Sequence, residues 1–268
     1  MAFKLKRTFT YGGRESASFG LYISKEPTYP LGLRKIDTYS IPGRNGALHI
    51  DTGCYEEFDL ELELMLQGNH ATASEIASWL NMGRGKPLEL RLSCWPGIYF
   101  LAVPKSTGDM AWILNNFNSI KLKFRCAPQK FLDGIEPTTW PILSATTGQV
   151  LALNNPTSEP SSPLITIYGN RASTINCVLR IEGEDPSITE GIPLQTYEIT
   201  VAGLTGGYVT IDTATGEAYQ GTQSMNHLVS FTKRPTAIVF WPGDVSLELV
   251  SGADVVSSII INPRWWRA

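Results

Sequence analysis

The sequence of 268 residues lacks any excess of positive charge: 22 Lys and Arg stand against 25 Asp and Glu, a formal charge of −3. That balance argues against a nucleic-acid binder that works by neutralising phosphates. No apolar run reaches the roughly 18 residues needed to cross a bilayer, so no membrane insertion is expected. The opening "MAFKLKRTFTYGG" is basic but has no apolar core segment and no small-residue cleavage site, which predicts no signal peptide and a soluble chain made in the cytoplasm. Cysteine is sparse. Cys54, Cys94, Cys126 and Cys177 are scattered without a C-x-x-C, so buried free thiols are expected in place of a disulfide framework or a zinc site.

Signatures of catalysis are missing as well. There is no Walker loop, dinucleotide fingerprint, H-E-x-x-H or G-x-S-x-G elbow. His49, His70 and His227 lie far apart without metal-ligand spacing. The acidic stretch "EGEDPSITEG" (182–191) offers oxygens to calcium but not in the EF-hand order. Glu61 and Glu63 have the same-face spacing that a glycosidase carboxylate pair could use, but no aromatic platform accompanies them. No catalytic residue, metal or cofactor is expected. A hydrophobic content of 43% is nonetheless ample for a buried core.

What is present is strand signal. "EFDLELELML" (57–66) alternates: Phe58, Leu60, Leu62, Leu64 and Leu66 fall on one face, and Glu57, Asp59, Glu61 and Glu63 on the other. "SIKLKFRC" (119–126) alternates too, with Lys121, Lys123 and Arg125 on its charged face, a complement to the acidic one. Between them "NHATASEIASWLNMGRGKP" (69–87) predicts one amphipathic helix over about 72–82. Thr72 and Glu75 have capping-box spacing, Ile76, Trp79 and Leu80 make an apolar stripe, and Gly83 stands at the expected C-terminal glycine position. A Pro-, Ser- and Thr-rich stretch breaks the pattern near 131–140. We therefore expect an N-terminal domain over 1–135 and a C-terminal domain over 136–268, the latter a β-sandwich of eight or nine short strands.

"SIPGRNGAL" (40–48) sets two turn dipeptides, Pro42-Gly43 and Asn45-Gly46, around Arg44 between strand-like flanks. Asn-Gly so flanked is a strong hairpin signal, and it places Arg44 and Asn45 at a tip. At the other end, "INPRWWRA" clusters Trp265 and Trp266 between arginines; the expected reading is a last strand whose indoles close a core.

The order of these landmarks carries a resemblance. "FGLYISKEP" (19–27), "SIPGRNGAL", the long alternating strand, the single helix, "PLELRLSCWPGIYFLAV" (87–103) and "KLKFRCAP" (121–128) are followed by "LNNPTSEPSSPLITIYGN" (153–170), "YVTIDTATGEAY" (208–219), "WPGDVSLEL" (241–249) and "PRWWR" (263–267). Nearly the whole chain resembles the distal tail protein (Dit) family, the hub subunits of long-tailed phage baseplates. The resemblance implies an N-terminal β-sandwich with one helix and an extended β-hairpin, and a C-terminal galectin-like or jelly-roll β-sandwich. It further implies a homo-hexameric ring between the tail tube protein and the tail-associated lysin or tip protein, with DNA passing only in transit, and in some cases a receptor-binding protein attached. Under it, Pro42, Gly43, Arg44, Asn45 and Gly46 are candidates for a subunit or tail contact. Glu57, Asp59, Glu61 and Glu63 are candidates for a channel wall or interface. The alternative is a carbohydrate-binding module engaging host cell-surface glycans, for which Trp241 and Trp265 are the candidate platforms.

Overall fold

A computed structural model describes residues 7–67, 71–105, 119–143, 148–169, 174–183, 195–205, 207–232 and 238–268. Two compact units divide the chain between Asp133 and Gly134, with Ala268 counted with the first.

The first unit contains Phe9–Tyr11 (β1), Arg14–Glu15 (β2), Leu21–Lys25 (β3), Arg34–Ser40 (β4), Ala47–Tyr55 (β5), Phe58–Leu66 (β6), the helix Ala73–Leu80 (α1), Leu88–Leu92 (β7), Ile98–Pro104 (β8), Ser119–Cys126 (β9) and Lys130–Leu132 (β10). One sheet runs in the order β2-β1-β7-β8-β9-β6-β3, with β10 added beside β8. Its two ends approach each other: Arg7, just before β1, bridges to Ile23 of β3, and the Ile23 amide donates to the Arg7 carbonyl at 2.8 Å. The sheet is thus folded over on itself. The period-two pattern explains which side closes. Leu60, Leu62 and Leu64 of β6 and Ile120, Leu122 and Phe124 of β9 are all buried.

Helix α1 lies against this core through Ile76, Trp79 and Leu80, all buried. Trp79 stacks on Phe19 with ring centroids 4.3 Å apart, and its indole N–H donates to the Tyr11 carbonyl at 3.1 Å. The capping box forms as the sequence predicts. The Glu75 amide donates to Thr72 Oγ1 at 3.3 Å, and the Thr72 amide donates to Glu75 Oε2 at 2.8 Å. The helix end differs from the expectation. A 3-10 turn at Asn81–Gly83 carries the chain one step further, so the left-handed position falls on Arg84 (φ 48°) and Gly83 does not occupy it. Gly83 is needed for space: a Cβ there would meet the Leu88 side chain at 3.1 Å.

The second unit contains Thr138–Pro141 (β11), Gln149–Asn155 (β12), Leu164–Gly169 (β13), Thr174–Gly183 (β14), Gln195–Thr205 (β15), Tyr208–Asp212 (β16), Glu217–Gln220 (β17), Gln223–Ser224 (β18), Val229–Phe231 (β19), Gly243–Ser251 (β20) and Val256–Asn262 (β21). They form two antiparallel sheets, β11-β21-β13-β16-β17-β18 and β12-β20-β14-β15-β19. Each buries one alternating set: Ile165, Ile167, Val209, Ile211, Ile259 and Ile261 from the first, and Leu179, Ile181, Ile199, Val201, Leu247 and Leu249 from the second. This is the two-sheet sandwich that the short, Gly- and Pro-punctuated strands imply.

Capping and packing can each be tested. Thr72→Ala removes the N-cap oxygen and should lower stability by about 1 kcal/mol, read as a lower urea midpoint with unchanged slope. The four thiols are free and differ in access: Cys54 is exposed, Cys94 is half-buried, and Cys126 and Cys177 are buried, with burial pushing the latter two up to about 12. A thiol reagent should therefore label Cys54 first and Cys126 and Cys177 only in denaturant. Prompt labelling of all four would contradict the packing described.

Candidate functional site

The hairpin at "SIPGRNGAL" exists, and it is longer than a tight turn. β4 and β5 pair in register from Ser40↔Ala47 to Ile36↔Asp51 and, past a shift in register, at Arg34↔Tyr55, so the connection is the six-residue loop 41–46. The two glycines take the left-handed conformation (Gly43 φ 81°, Gly46 φ 81°), and the Arg44 amide donates to the Ile41 carbonyl at 3.2 Å. Asn45 does not join them at positive φ. Glycine takes each of these two left-handed positions without strain. Pro42, Gly43, Arg44, Asn45 and Gly46 are all exposed.

This hairpin is a sheet of two strands alone. Every residue of β4 is exposed, and among the described residues neither strand pairs with a third. Its two faces differ. Directly paired residues share a face, so Ile36 with Asp51, Thr38 with His49 and Ser40 with Ala47 make one side. That side is mostly polar, although Ile36 on it is 52% exposed. Thr38 Oγ1 lies 3.1 Å from His49 Nδ1, and the Arg34 guanidinium sits 4.4 Å over the Tyr55 ring. The other side carries Lys35, Asp37 with Ile50, and Tyr39 with Leu48, and is extended by Ile41. Tyr39 and Ile50 are 53% and 46% exposed, far above the interior positions that side chains of this type usually fill.

The segment leading into the hairpin is held from below. Tyr29 meets Trp95 edge-on at 5.1 Å, and the Lys130 ammonium lies 5.2 Å from the Tyr29 ring centre. Lys130 is buried, and burial lowers its pKa. Sequence reading missed this lysine, since "APQK" gives no periodic cue to its depth.

The acidic face of β6 is matched. In the register with β9, Asp59 lies opposite Arg125, Glu61 opposite Lys123 and Glu63 opposite Lys121. Asp59 receives bonds from Arg125 Nε at 2.6 Å and Lys105 Nζ at 2.5 Å; Glu61 receives Lys121 Nζ at 3.1 Å and pairs with Lys123 at 3.0 Å. Glu57 and Glu63 pair with Arg125 and Lys121 at 3.3 and 3.6 Å. Four carboxylates thus meet four cations. The hydrogen bond from Arg125, then that from Lys105, lowers the pKa of Asp59 to about 2. Lys123 and then Lys121 lower that of Glu61.

Trp265 is 5% exposed and packs against Phe240 with centroids 5.7 Å apart, so its ring is not offered to a ligand. Trp266 is also buried, and its indole N–H donates to the Pro160 carbonyl at 2.8 Å. Both neighbours are buried, and just before them Arg264 takes a left-handed conformation (φ 52°), held by a two-point pair to Asp212 at 2.8 and 3.0 Å. Trp241 is half-buried, and its indole N–H has no partner among the described residues. His70 and most of the acidic stretch 182–191 lie outside the described residues. Among the described residues no group of His, Cys, Asp and Glu could hold a metal, and no helix is long and apolar enough to cross a membrane.

No family model matches the chain, and no curated protein matches it in sequence. In structure it is similar to the crystal structure of the SPP1 Dit (gp 19.1) protein, described as a paradigm of the hub adsorption apparatus in phages that infect Gram-positive bacteria. The match has a TM-score of 0.57 and 15% sequence identity, and covers 95% of this chain and 97% of that one. The chain therefore has the mainly β fold of a Dit protein along nearly its whole length.

The charge ladder gives a pH prediction. Asp59 has its folded pKa depressed, so its contribution to stability is present above the ordinary carboxylate value and is lost as pH falls from about 4 to about 2. Unfolding midpoints measured through that window should fall more steeply for the wild type than for Asp59→Asn. Parallel curves would show that Asp59 plays no such part.

Proposed function

We propose that this chain is a structural hub subunit of a long-tailed phage or prophage tail tip. On this reading six copies close into a ring that joins the tail tube protein to the tail-associated lysin or tip protein and leaves DNA a passage in transit. The subunit works without catalysis, is assembled in the bacterial cytoplasm and ends in the virion. A receptor-binding protein is a further candidate partner. The fold it shares with SPP1 Dit over 95% of the chain supports the hub assignment.

The observation that carries assembly is the β4–β5 arm. A two-stranded hairpin is marginal in water, and it becomes stable when a third strand, a helix or another surface covers its apolar side. Here that side shows Tyr39, Ile41 and Ile50 to solvent. A chain that orders such an arm has a use for it, and cover from a neighbouring copy supplies one. A ring is built from heterologous contacts, in which one patch of a subunit meets a different patch of the next. Arg44, exposed at the tip and without an ion pair among the described residues, is our candidate for a polar contact there.

The charged face of β6 is assigned a different role from the tip. A passage for DNA calls for a neutral or acidic wall, because basic groups would hold the phosphates. The balanced ladder of Glu57, Asp59, Glu61 and Glu63 with four cations does not present surplus negative charge. We read it as joining β6 to β9 and to Lys105, with any interface role secondary. The carbohydrate-binding alternative calls for exposed coplanar aromatics, which the buried Trp265 and half-buried Trp241 do not supply.

Light scattering of the purified chain tests the proposal. A species of six times 29.5 kDa, or a stacked pair of such rings, is expected, with the ring losing mass as concentration falls. Arg44→Ala should weaken assembly, and the effect should shrink at high salt, where exposed charge contacts are screened. A chain that stays monomeric up to millimolar concentration would sink the hub-ring reading. Rings of unchanged stability in the variant would remove Arg44 from the contact.

A further inference from the structure

Lys130 has no part in the assembly proposed above, and its surroundings are unusual for a lysine. It opens β10, whose pairing with β8 sets Phe131 opposite Tyr99, the two rings stacked 5.2 Å apart. Strand alternation sends the side chain one residue earlier to the other face. There Lys130 is 1% exposed. Among the described residues it has no ion pair and donates no hydrogen bond; its ammonium lies over the Tyr29 ring, 5.2 Å from the centre. A lysine ordinarily buries its stem and keeps its charge in water. Here burial pushes the pKa down, and no neighbouring carboxylate among the described residues opposes the shift.

The ring over that ammonium stands at the root of the arm. Between the end of β3 at Lys25 and the start of β4 at Arg34 the chain has few ties. Glu26 pairs with Arg7 at 2.9 Å, and the Leu33 carbonyl accepts from the Glu56 amide at 2.9 Å. Residues 27–32, between these two points, make no backbone hydrogen bond among the described residues. Leu31 is 76% exposed, too open to serve as an anchor. Tyr29 is held edge-on by Trp95 and through its face by Lys130. Pro27 and Pro30 bracket it, which fixes φ at both prolines and confines Tyr29 to extended backbone. A stretch this stiff moves as a piece, so the seat of the Tyr29 ring sets the path of the chain into β4.

Packing alone does not account for the lysine. A methionine fills such a space with no charge to dehydrate, whereas a buried ammonium without a carboxylate weakens the fold, and a ring face offsets only part of that. What the charge adds is direction, because it draws the face of one ring to one place. We propose that Lys130 is a positioning residue for the arm: its ammonium, seated under Tyr29, fixes the direction in which β4 and β5 leave the first unit, and lowers the stability of that unit in doing so. The latch lies within one chain, so it acts whether or not copies associate.

The test is the pair of opposite signs expected of Lys130→Met in the full-length chain. Arm direction is read by pulsed electron spin resonance between nitroxides on Ser40→Cys, exposed at the outer end of β4, and Ser78→Cys, exposed on α1. Cys54→Ser and Cys94→Ser keep the accessible native thiols from labelling. Labelled chains are mixed into an excess of unlabelled chain, so that only distances within one chain are read. The parent should give one narrow distance distribution. Lys130→Met should melt a few degrees above the parent and yet show a broad or divided distribution. Tyr29→Leu should broaden the distribution too, and Tyr29→Phe, which keeps the ring face, should leave it narrow. A narrow distribution in Lys130→Met or in Tyr29→Leu would show that the arm is aimed without the latch and would overturn the proposal. Broadening in Tyr29→Phe would overturn it as well, since the hold would then lie in the phenol hydroxyl. So would a Lys130→Met chain that melts below the parent, the result expected of an ordinary packing residue.

Discussion

Two paired strands cannot bury a face by themselves, and the two halves of the first unit answer that constraint in different ways. The body answers it in the ordinary way: its sheet folds over, Arg7 bridges to Ile23, and α1 seals the space with Ile76, Trp79 and Leu80. The arm of β4 and β5 leaves it open. Each strand pairs along one edge only, and among the described residues Tyr39, Ile41 and Ile50 stay exposed on one of the arm's faces. The result is a cluster of exposed apolar side chains, Ile36, Tyr39, Ile41 and Ile50, interspersed with charged ones, of the kind that marks an interaction surface.

The strand that follows the arm shows the contrast. β6 alternates apolar and charged residues where β4 and β5 do not, and its neighbours complete it on both faces. Leu60, Leu62 and Leu64 enter the core, while Asp59, Glu61 and Glu63 meet Arg125, Lys123 and Lys121 across the register with β9. A one-residue slip between β6 and β9 would turn every leucine outward, so the apolar face already specifies the pairing. The ion pairs are exposed and individually weak. Their value lies in agreement: the charge pattern and the apolar pattern select the same register.

Much of this was legible in the sequence because it rests on period and on turn chemistry. The alternation of 57–66 and 119–126 named the faces of β6 and β9, Thr72 with Glu75 named the start of α1, and Gly43 and Gly46 named the reversal at the tip. What stayed hidden depends on three-dimensional neighbours. Period two gives β4 and β5 two faces but cannot say that neither is covered. Trp265 and Trp266 are both buried, and the left-handed Arg264 before them is held by Asp212 from 52 positions away, a pairing that no local pattern announces. Lys130 gave no sign of its burial under Tyr29. Gly83 was recognisable as a special glycine, but its reason is the closeness of Leu88 and not a positive φ.

An arm that leaves apolar side chains exposed links local order to assembly. Fixing a flexible hairpin costs conformational entropy, and the arm recovers little of it from packing on its own subunit. Here the anchoring is concentrated at the root, where Tyr29 is gripped by Trp95 and Lys130 and the Glu56 amide donates to the Leu33 carbonyl at 2.9 Å. That grip aims the arm without burying its outer half. On the proposed ring reading, ordering of the outer half and association of copies are one equilibrium seen from two sides.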